Sequence, residues 1–130
     1  MNLARFLWLI PSSLLLAALI FLCIRAGWPA ATVAIVFAIL PDLTLIGAFA
    51  GGGRLKPERV RAYNLAHSPG PPLVLFAISL VLLFIGGFWP LAVLASAWLL
   101  HISVDRVAGY GLREPDGTIR PVGVPRAAVR

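Results

Sequence analysis

Long hydrophobic runs occupy most of this chain. Phe6 to Ile24 contains no charged side chain over 19 residues, close to the roughly 20 residues that cross a bilayer as an α-helix. A second run begins at Pro29 and continues to Ala50, with Asp42 as its one charged residue. The pattern therefore predicts two membrane-spanning helices, at about 6–24 and 29–50.

Two further spans are predicted between Ala62 and Val104. These 43 residues contain no Asp, Glu, Lys or Arg, and as a helix they would extend roughly 65 Å, enough for two crossings. The Gly-Gly-Phe-Trp-Pro sequence at 86–90 is typical of a turn at which the chain reverses. We therefore predict spans at about 70–87 and 90–108. The expected fold is all-α, with a four-helix transmembrane bundle formed by residues 1–111.

Residues 112–130 have a different composition from the rest of the chain. They carry Arg, Pro and Gly with almost no apolar periodicity, which is typical of segments that do not form a packed core. Glu114-Pro-Asp-Gly117 is typical of a turn. We predict a flexible basic cytoplasmic tail over 112–130.

A cleaved signal peptide is the alternative to a first membrane span. The apolar run at 6–24 is longer than the usual signal-peptide core of about 7–15 residues. The Ile-Arg-Ala-Gly-Trp sequence that follows it is also unlike a small-residue cleavage site. Both observations favour a helix that stays in the membrane.

The composition supports an integral membrane protein in contact with the lipid bilayer. Hydrophobic residues make up 60% of the chain and charged residues 12%, with a mean hydropathy of +0.93, values that exclude a soluble globular domain of this size. The single cysteine, Cys23, lies in the first apolar run and offers no disulfide.

The positions of the basic residues predict the orientation. Ten of the eleven Lys and Arg residues lie before the first run, after the second, or at and beyond the end of the fourth, whereas Arg25 alone lies on the other side. The ten are Arg5, Arg54, Lys56, Arg59, Arg61, Arg106, Arg113, Arg120, Arg126 and Arg130. The positive-inside rule then places both termini in the cytoplasm, with the protein in the inner (plasma) membrane. Topology and anionic lipid headgroups account for the net charge of +6, so no nucleic-acid partner is expected.

Four residues able to bind a metal interrupt these runs: Asp42, His67, His101 and Asp105. Ionisable groups at membrane depth are costly and usually functional. Counted from Pro29 and Pro90, the first aspartate lies about 20 Å along its span, and the last two residues lie about 17 and 23 Å along theirs. His67 precedes a proline-rich bend that could swing it toward the others. These depths predict one shared site.

Two histidines and two carboxylates suit a divalent metal such as Zn, Mn or Fe. Such an ion makes bound water acidic, which favours hydrolysis of a lipid or another membrane-borne ester or phosphoester. We expect further polar groups to orient the ligands. The candidates are Tyr63, Asn64, Ser103, Arg106 and Tyr110.

Other interpretations stay open. The histidines and aspartates could pair as purely structural groups, with Arg106 as a carboxylate partner or an interfacial anchor. A non-enzymatic protein for metal or proton permeation, which would require a homo-oligomer, or a structural membrane subunit would also need intramembrane polar groups. A haem or quinone redox protein is a weaker alternative that uses the two histidines.

Three motifs carry a resemblance to known families: Pro41-Asp42-Leu43, Tyr63-Asn-Leu-Ala-His67, and the block from His101 to Leu112. Together they resemble the small bacterial membrane proteins of domain-of-unknown-function family 4260, over most of the chain up to Leu112. Their order is also distantly similar to that of inner-membrane metal-dependent hydrolases of the SOS-regulated type. The second resemblance implies that Asp42, His67, His101 and Asp105 are metal ligands.

Overall fold

The computed structural model describes residues 2–124 and shows a helical protein with one small hairpin. In chain order its elements are α1 (Leu3–Leu7), α2 (Leu9–Ala26), α3 (Trp28–Ile39), a 3-10 helix (Leu40–Leu45), β1 (Phe49–Gly51), β2 (Arg54–Leu55), α4 (Pro57–His67), α5 (Gly70–Gly86) and α6 (Trp89–Ala108).

Four helical segments are long and apolar enough to cross a membrane. They are Leu3–Ala26, Trp28–Leu45, Pro57–Gly86 and Trp89–Ala108. The prediction of a mainly helical membrane protein with four spans is therefore confirmed at this level. The side of the membrane on which the ends lie stays a prediction.

Helix α6 is the centre of the bundle. It packs against α2, α3 and α5, and the side chains of Ala92, Ala95 and Ala97 are at most 2% exposed. Small side chains let helix backbones approach closely where a hydrophobic driving force between helices is absent. The outer helices instead direct large apolar side chains outward, such as Phe84 and Ile85 at more than 80% exposure. This arrangement suits a bundle surrounded by lipid.

Both ends of the described chain lie at the same end of the bundle. Asn2 donates a hydrogen bond to the carbonyl of Val122, and the Arg5 guanidinium donates to the carbonyls of Val107 and Ala108 at 2.9 Å each. These last two carbonyls belong to the C-terminal turn of α6, where a cation is favourable. Arg5, near the N-terminus of the chain, therefore caps the C-terminal end of α6.

The second span is shorter than the predicted range 29–50. Its α-helical part ends at Ile39, a 3-10 helix continues to Leu45, and Phe49 already belongs to strand β1. Pro41 has no amide hydrogen and cannot continue the α-helical ladder. Gly52 and Gly53, both with positive φ, then form the two-residue connection of the β1–β2 hairpin, a turn that requires such backbone angles.

The described part of the predicted tail is packed, which differs from the flexible segment we expected. Arg113 is 6% exposed, and its Nη1 donates to the carbonyls of Gly53 at 2.7 Å and Gly117 at 3.1 Å. The Asn64 side chain accepts from the Arg113 amide and donates to its carbonyl. These contacts are made by backbone groups and one arginine, so apolar periodicity could not reveal them. The last part of the predicted tail, 125–130 with Arg126 and Arg130, lies outside the described residues.

Close backbone approaches fix the position of the C-terminal segment. The Leu55 amide donates to the Gly117 carbonyl at 3.0 Å, and a Cβ atom on Gly117 would overlap the Leu55 carbonyl. The Gly117 amide donates to the Glu114 carbonyl at 2.8 Å, which closes the turn predicted at 114–117. Within this turn, hydrogen bonds from the Thr118 hydroxyl and amide lower the pKa of Asp116.

We predict that Arg113→Ala releases the C-terminal segment while the four spans remain folded. Hydrogen bonds from a charged donor contribute about 1.5–3 kcal/mol, so the amides of Leu55 and Arg120 should exchange about 10- to 100-fold faster. Hydrogen–deuterium exchange followed by mass spectrometry measures this change. Arg59→Ala, at an exposed position of α4, should leave exchange unchanged. If the amides of Leu55 and Arg120 exchange equally slowly in both variants, Arg113 does not hold the C-terminal segment in place.

Candidate metal centre

Asp42 lies in the 3-10 helix that follows the break in the second span. Pro41 ends the α-helical hydrogen bonding just before it, and the Thr44 hydroxyl donates to the Pro41 carbonyl at 2.7 Å. This local hydrogen bond satisfies one carbonyl that the break releases. The break thus places a carboxylate at the point where the span changes its helical geometry.

His67 is the last residue of α4. The next residue, Ser68, has an extended backbone at φ −84° and ψ 140°, as expected for a residue that precedes proline. The helix therefore ends at His67 because Pro69 follows two residues later. The histidine side chain is completely buried.

His101 and Asp105 lie one turn apart on α6, so their side chains project from the same face. The His101 Nε2 and Asp105 Oδ2 atoms are 3.6 Å apart. Both residues belong to the last two turns of the central helix. The rigid core of the bundle therefore supplies half of the candidate ligands.

The structure brings all four predicted ligands together. Asp42 Oδ1 lies 3.4 Å from His67 Nε2 and 3.6 Å from His101 Nε2. Asp105 Oδ2 lies 3.8 Å from the first of these nitrogens and 3.6 Å from the second. One potential ligand atom from each of Asp42, His67 and His101 lies within 4.8 Å of the others, and this group of three does not include Asp105. Each carboxylate oxygen is thus shared between two ring nitrogens.

Three of these four separations are too long for hydrogen bonds and are compatible with a common metal ion. N–H···O hydrogen bonds usually measure about 2.7–3.2 Å, and only the 3.4 Å contact between His67 Nε2 and Asp42 Oδ1 is short enough to be a long hydrogen bond. A tetrahedral ion with bonds of about 2.0–2.1 Å holds its ligand atoms about 3.3 Å apart. The shortest separation, 3.4 Å, is close to that value. Asp42, His67 and His101 therefore have nearly the spacing that a small divalent cation requires, and Asp105 lies next to both histidines.

The hydrogen bonds around the histidines leave their Nε2 atoms directed at the site. His67 Nδ1 lies 3.0 Å from the Tyr63 carbonyl, and since a carbonyl can only accept, Nδ1 carries the proton. The Nε2 atom lies 3.4 Å from Asp42 Oδ1, and in a neutral ring of this tautomer it would offer its lone pair to a metal. His101 Nε2 is buried without a hydrogen-bond partner among the described residues. Such an atom is costly to bury unless something binds it.

The side chains of the four candidate ligands differ in solvent exposure, and the difference indicates which side of the site is open. The Asp42 side chain is 51% exposed, whereas those of His67, His101 and Asp105 are 0%, 10% and 22% exposed. The buried histidines form the back of the site, and the Asp42 side is open. A ligand could therefore reach a bound ion past Asp42.

Two of the five predicted supporting residues contact His67 directly. The Tyr63 ring stacks on the His67 ring with centroids 3.9 Å apart, and its carbonyl accepts the Nδ1 hydrogen bond. Arg106 is 6% exposed, and its Nη2 donates to the His67 carbonyl. Its Nη1 donates to the Tyr110 carbonyl. Arg106 therefore joins the end of α4 to the end of α6, and among the described residues it forms no ion pair with either carboxylate.

The other three supporting residues are not brought to the ligands. The Ser103 hydroxyl donates to the Leu99 carbonyl of its own helix at 2.7 Å, because a serine within a helix can bond the preceding turn. The Asn64 side chain binds the backbone of Arg113. The Tyr110 side chain is exposed, and that residue contributes only backbone groups: its carbonyl accepts from Arg106 and its amide donates to the Asp105 carbonyl at 2.8 Å.

Trp98 and Arg113 support the site although the sequence analysis did not assign them to it. Trp98 Nε1 donates to the Ala66 carbonyl at 2.7 Å, which ties the residue before His67 to the central helix. The Arg113 guanidinium lies over the Tyr63 ring, 5.4 Å from its centroid. Trp98 lies three residues before His101 and therefore on the same helical face. This spacing could have identified Trp98 as a supporting residue from the sequence. No comparable signal marked Arg113.

Comparison with known proteins identifies the family. Neither a curated protein nor a solved structure matched the chain, so the similarity to metal-dependent hydrolases stays a prediction. A family model described as Domain of unknown function (DUF4260) matches residues 8–120. This range includes most of the first span, the other three spans and every candidate ligand, and it confirms the resemblance to the domain-of-unknown-function family. The chain therefore belongs to the DUF4260 family.

Proposed function

We propose that this protein binds one divalent metal ion through Asp42, His67, His101 and Asp105 and uses it to hydrolyse a membrane-borne ester or phosphoester. The observation that supports metal binding is the spacing of the four ligand atoms, 3.4–3.8 Å between each histidine nitrogen and each carboxylate oxygen. Three of the four separations are too long for hydrogen bonds, and the shortest, between His67 Nε2 and Asp42 Oδ1, is a long hydrogen bond of 3.4 Å. That shortest separation is also close to the distance of about 3.3 Å between neighbouring ligand atoms of a tetrahedral ion.

Electrostatics also support a cation at this position. Two carboxylates within a membrane-spanning bundle are costly unless positive charge compensates them. Among the described residues, the ion pairs recorded for Asp42 and Asp105 involve only the two histidines. The nearby Arg106 guanidinium donates instead to backbone carbonyls. A divalent ion would balance both carboxylates at once.

The ligand set indicates which ions would bind. Imidazole nitrogens suit Zn, Fe and other transition metals, whereas carboxylates suit Mn and other hard ions. A mixed set of two histidines and two aspartates therefore favours Zn, Mn or Fe over Ca or Mg, which prefer oxygen alone. The buried histidines would hold the ion, and the half-exposed Asp42 would leave room for an additional ligand.

Hydrolysis is the chemistry that such a site supports best. A bound divalent ion acidifies water and polarises a carbonyl or phosphoryl oxygen. The open side next to Asp42 gives a substrate and water access, while the buried histidines keep the opposite side closed. The position of the site within a membrane-spanning bundle favours a substrate that is itself carried by the membrane.

We predict that the purified full-length protein binds about one Zn²⁺ or Mn²⁺ per chain and that Asp42→Asn and His101→Gln weaken binding by more than about 100-fold. Loss of a group that merely orients a ligand costs about 10- to 100-fold, so loss of a ligand should cost more. Elemental analysis and calorimetric titration in detergent measure content and affinity.

Asp116→Asn is the matched control for the metal experiment. Asp116 is an exposed aspartate that pairs with Arg54 at 2.9 Å in the C-terminal turn, so this substitution should leave metal binding unchanged. Metal-free wild-type protein that also fails to bind added Zn²⁺ or Mn²⁺ would refute the proposal. Equal binding in wild type, Asp42→Asn and His101→Gln would refute this ligand set.

We predict that Trp98→Phe weakens metal affinity by about tenfold, since the contact it removes is of the kind that orients a ligand. Phenylalanine fills most of the space but cannot donate to the Ala66 carbonyl, so the end of α4 that carries His67 becomes less well fixed. Calorimetric titration with Zn²⁺ measures the change. Trp28→Phe, at a side chain 78% exposed, should bind as tightly as wild type. A variant Trp98→Phe with unchanged affinity would show that this hydrogen bond does not position His67.

A further inference from the structure

An apolar groove of about 340 Å³ lies beside the candidate metal centre. Its walls come from the second span, from α4 and from α6, the three parts of the chain that also carry the ligands. Residues that define the groove include Phe37, Leu40, Pro41, Leu65, Ala66 and Trp98. We call it the ligand-side groove.

On the second span, on α4 and on α6, a residue that lines the ligand-side groove is close in sequence to a candidate ligand. Pro41 directly precedes Asp42, Ala66 directly precedes His67, and Trp98 lies one helical turn before His101. None of the four candidate ligands lines the groove itself, but each of the three elements carries a groove-lining residue within one helical turn of a ligand. A headgroup that extends beyond the groove is therefore close enough to approach the ligands.

The polar side-chain atoms that line the ligand-side groove are already satisfied. Trp98 Nε1 donates to the Ala66 carbonyl at 2.7 Å, and the Thr44 hydroxyl donates to the Pro41 carbonyl, also at 2.7 Å. A groove without free donors or acceptors offers a polar occupant nothing in exchange for its lost hydration. Its occupant should therefore be apolar along its length.

The volume of the groove suits a single hydrocarbon chain. A methylene group occupies roughly the share of volume of one water molecule, about 30 Å³, so 340 Å³ holds on the order of ten carbon atoms. The surrounding membrane supplies acyl chains at high concentration. A lipid with one chain in the groove would carry its headgroup past the exposed Asp42 toward the metal.

We propose that the substrate of this site is a membrane amphiphile that binds with one hydrocarbon chain in the ligand-side groove and presents an oxygen-rich ester or phosphate headgroup to the metal. This inference rests on the proposed metal-dependent function and adds the substrate class. Groove contacts would select a chain-bearing substrate over its water-soluble counterpart, because the soluble molecule leaves the apolar surface empty.

The test uses lysophosphatidic acid with a photoreactive diazirine in its acyl chain and the full-length protein, loaded with Mn²⁺, in lipid nanodiscs. Irradiation and peptide mapping locate the chain, and electron–nuclear double resonance detects coupling between Mn²⁺ and the headgroup phosphorus. We expect labelling at 37–44 and 62–66, together with phosphorus coupling.

Two substitutions should fill the ligand-side groove while the metal stays bound. Ala62 lines the groove at an exposed position of α4, and Ala62→Phe should reduce labelling there by about tenfold, since a bulky side chain excludes the competing occupant. Leu65→Trp, at a side chain 64% exposed, is the second variant and should act in the same way. Both should retain wild-type Mn²⁺ content.

Ala18→Phe provides the matched control. Ala18 is an exposed alanine of α2 that lines a different apolar groove, together with Trp8, Leu73 and Phe76. The control should retain both the labelling at 37–44 and 62–66 and the phosphorus coupling. In protein that binds Mn²⁺, the label could instead spread over the outer helices and stay unchanged in Ala62→Phe and Leu65→Trp. That result would overturn this inference and leave the proposed metal site standing. Wild-type protein without bound Mn²⁺ would overturn the proposed function and this inference with it.

Discussion

Four ionisable side chains within an apolar helical bundle impose the main physical constraint on this protein. Such groups are costly at membrane depth unless they are paired, hydrogen-bonded or bound to an ion. The structure gathers them at one position, with Asp42 Oδ1 and Asp105 Oδ2 each 3.4–3.8 Å from both histidine Nε2 atoms. Much of the surrounding architecture can be understood as the means of holding that arrangement.

Two helix breaks help to hold this arrangement. Pro41 converts the end of the second span into a 3-10 helix that carries Asp42, and Pro69 ends α4 at His67. The central helix continues without a break through His101 and Asp105. Two ligands therefore lie on a continuous helix, and the other two lie at interruptions where the backbone can direct them toward it.

A second layer of contacts connects the site to the C-terminal segment. Tyr63 stacks on His67 and lies beneath the Arg113 guanidinium, while Arg106 and Trp98 bind carbonyls at the end of α4. Groups around the ligands orient them and adjust how strongly they bind a metal. The segment after α6 thus forms part of the support of the site, and the DUF4260 match, which extends to residue 120, includes most of it.

The sequence by itself determined the number of helices long enough to span a membrane, the bend after His67 and the identity of the four ionisable residues. Each of these follows from local properties: the length of apolar runs, the chemistry of proline and the cost of charge in a membrane. The depths counted from Pro29 and Pro90 also indicated that Asp42, His101 and Asp105 could meet.

Only the tertiary structure decided how these residues face one another and what surrounds them. Apart from the His101–Asp105 pair on one helix, the contacts at the site join residues 25 or more positions apart, so they depend on how the helices pack and rotate. Arg113 binds backbone carbonyls, and since every residue has a carbonyl, no sequence pattern distinguishes the one that is bound. The ordered C-terminal segment, the role of Trp98 and the separation of Ser103 from the site therefore became visible only in the folded chain.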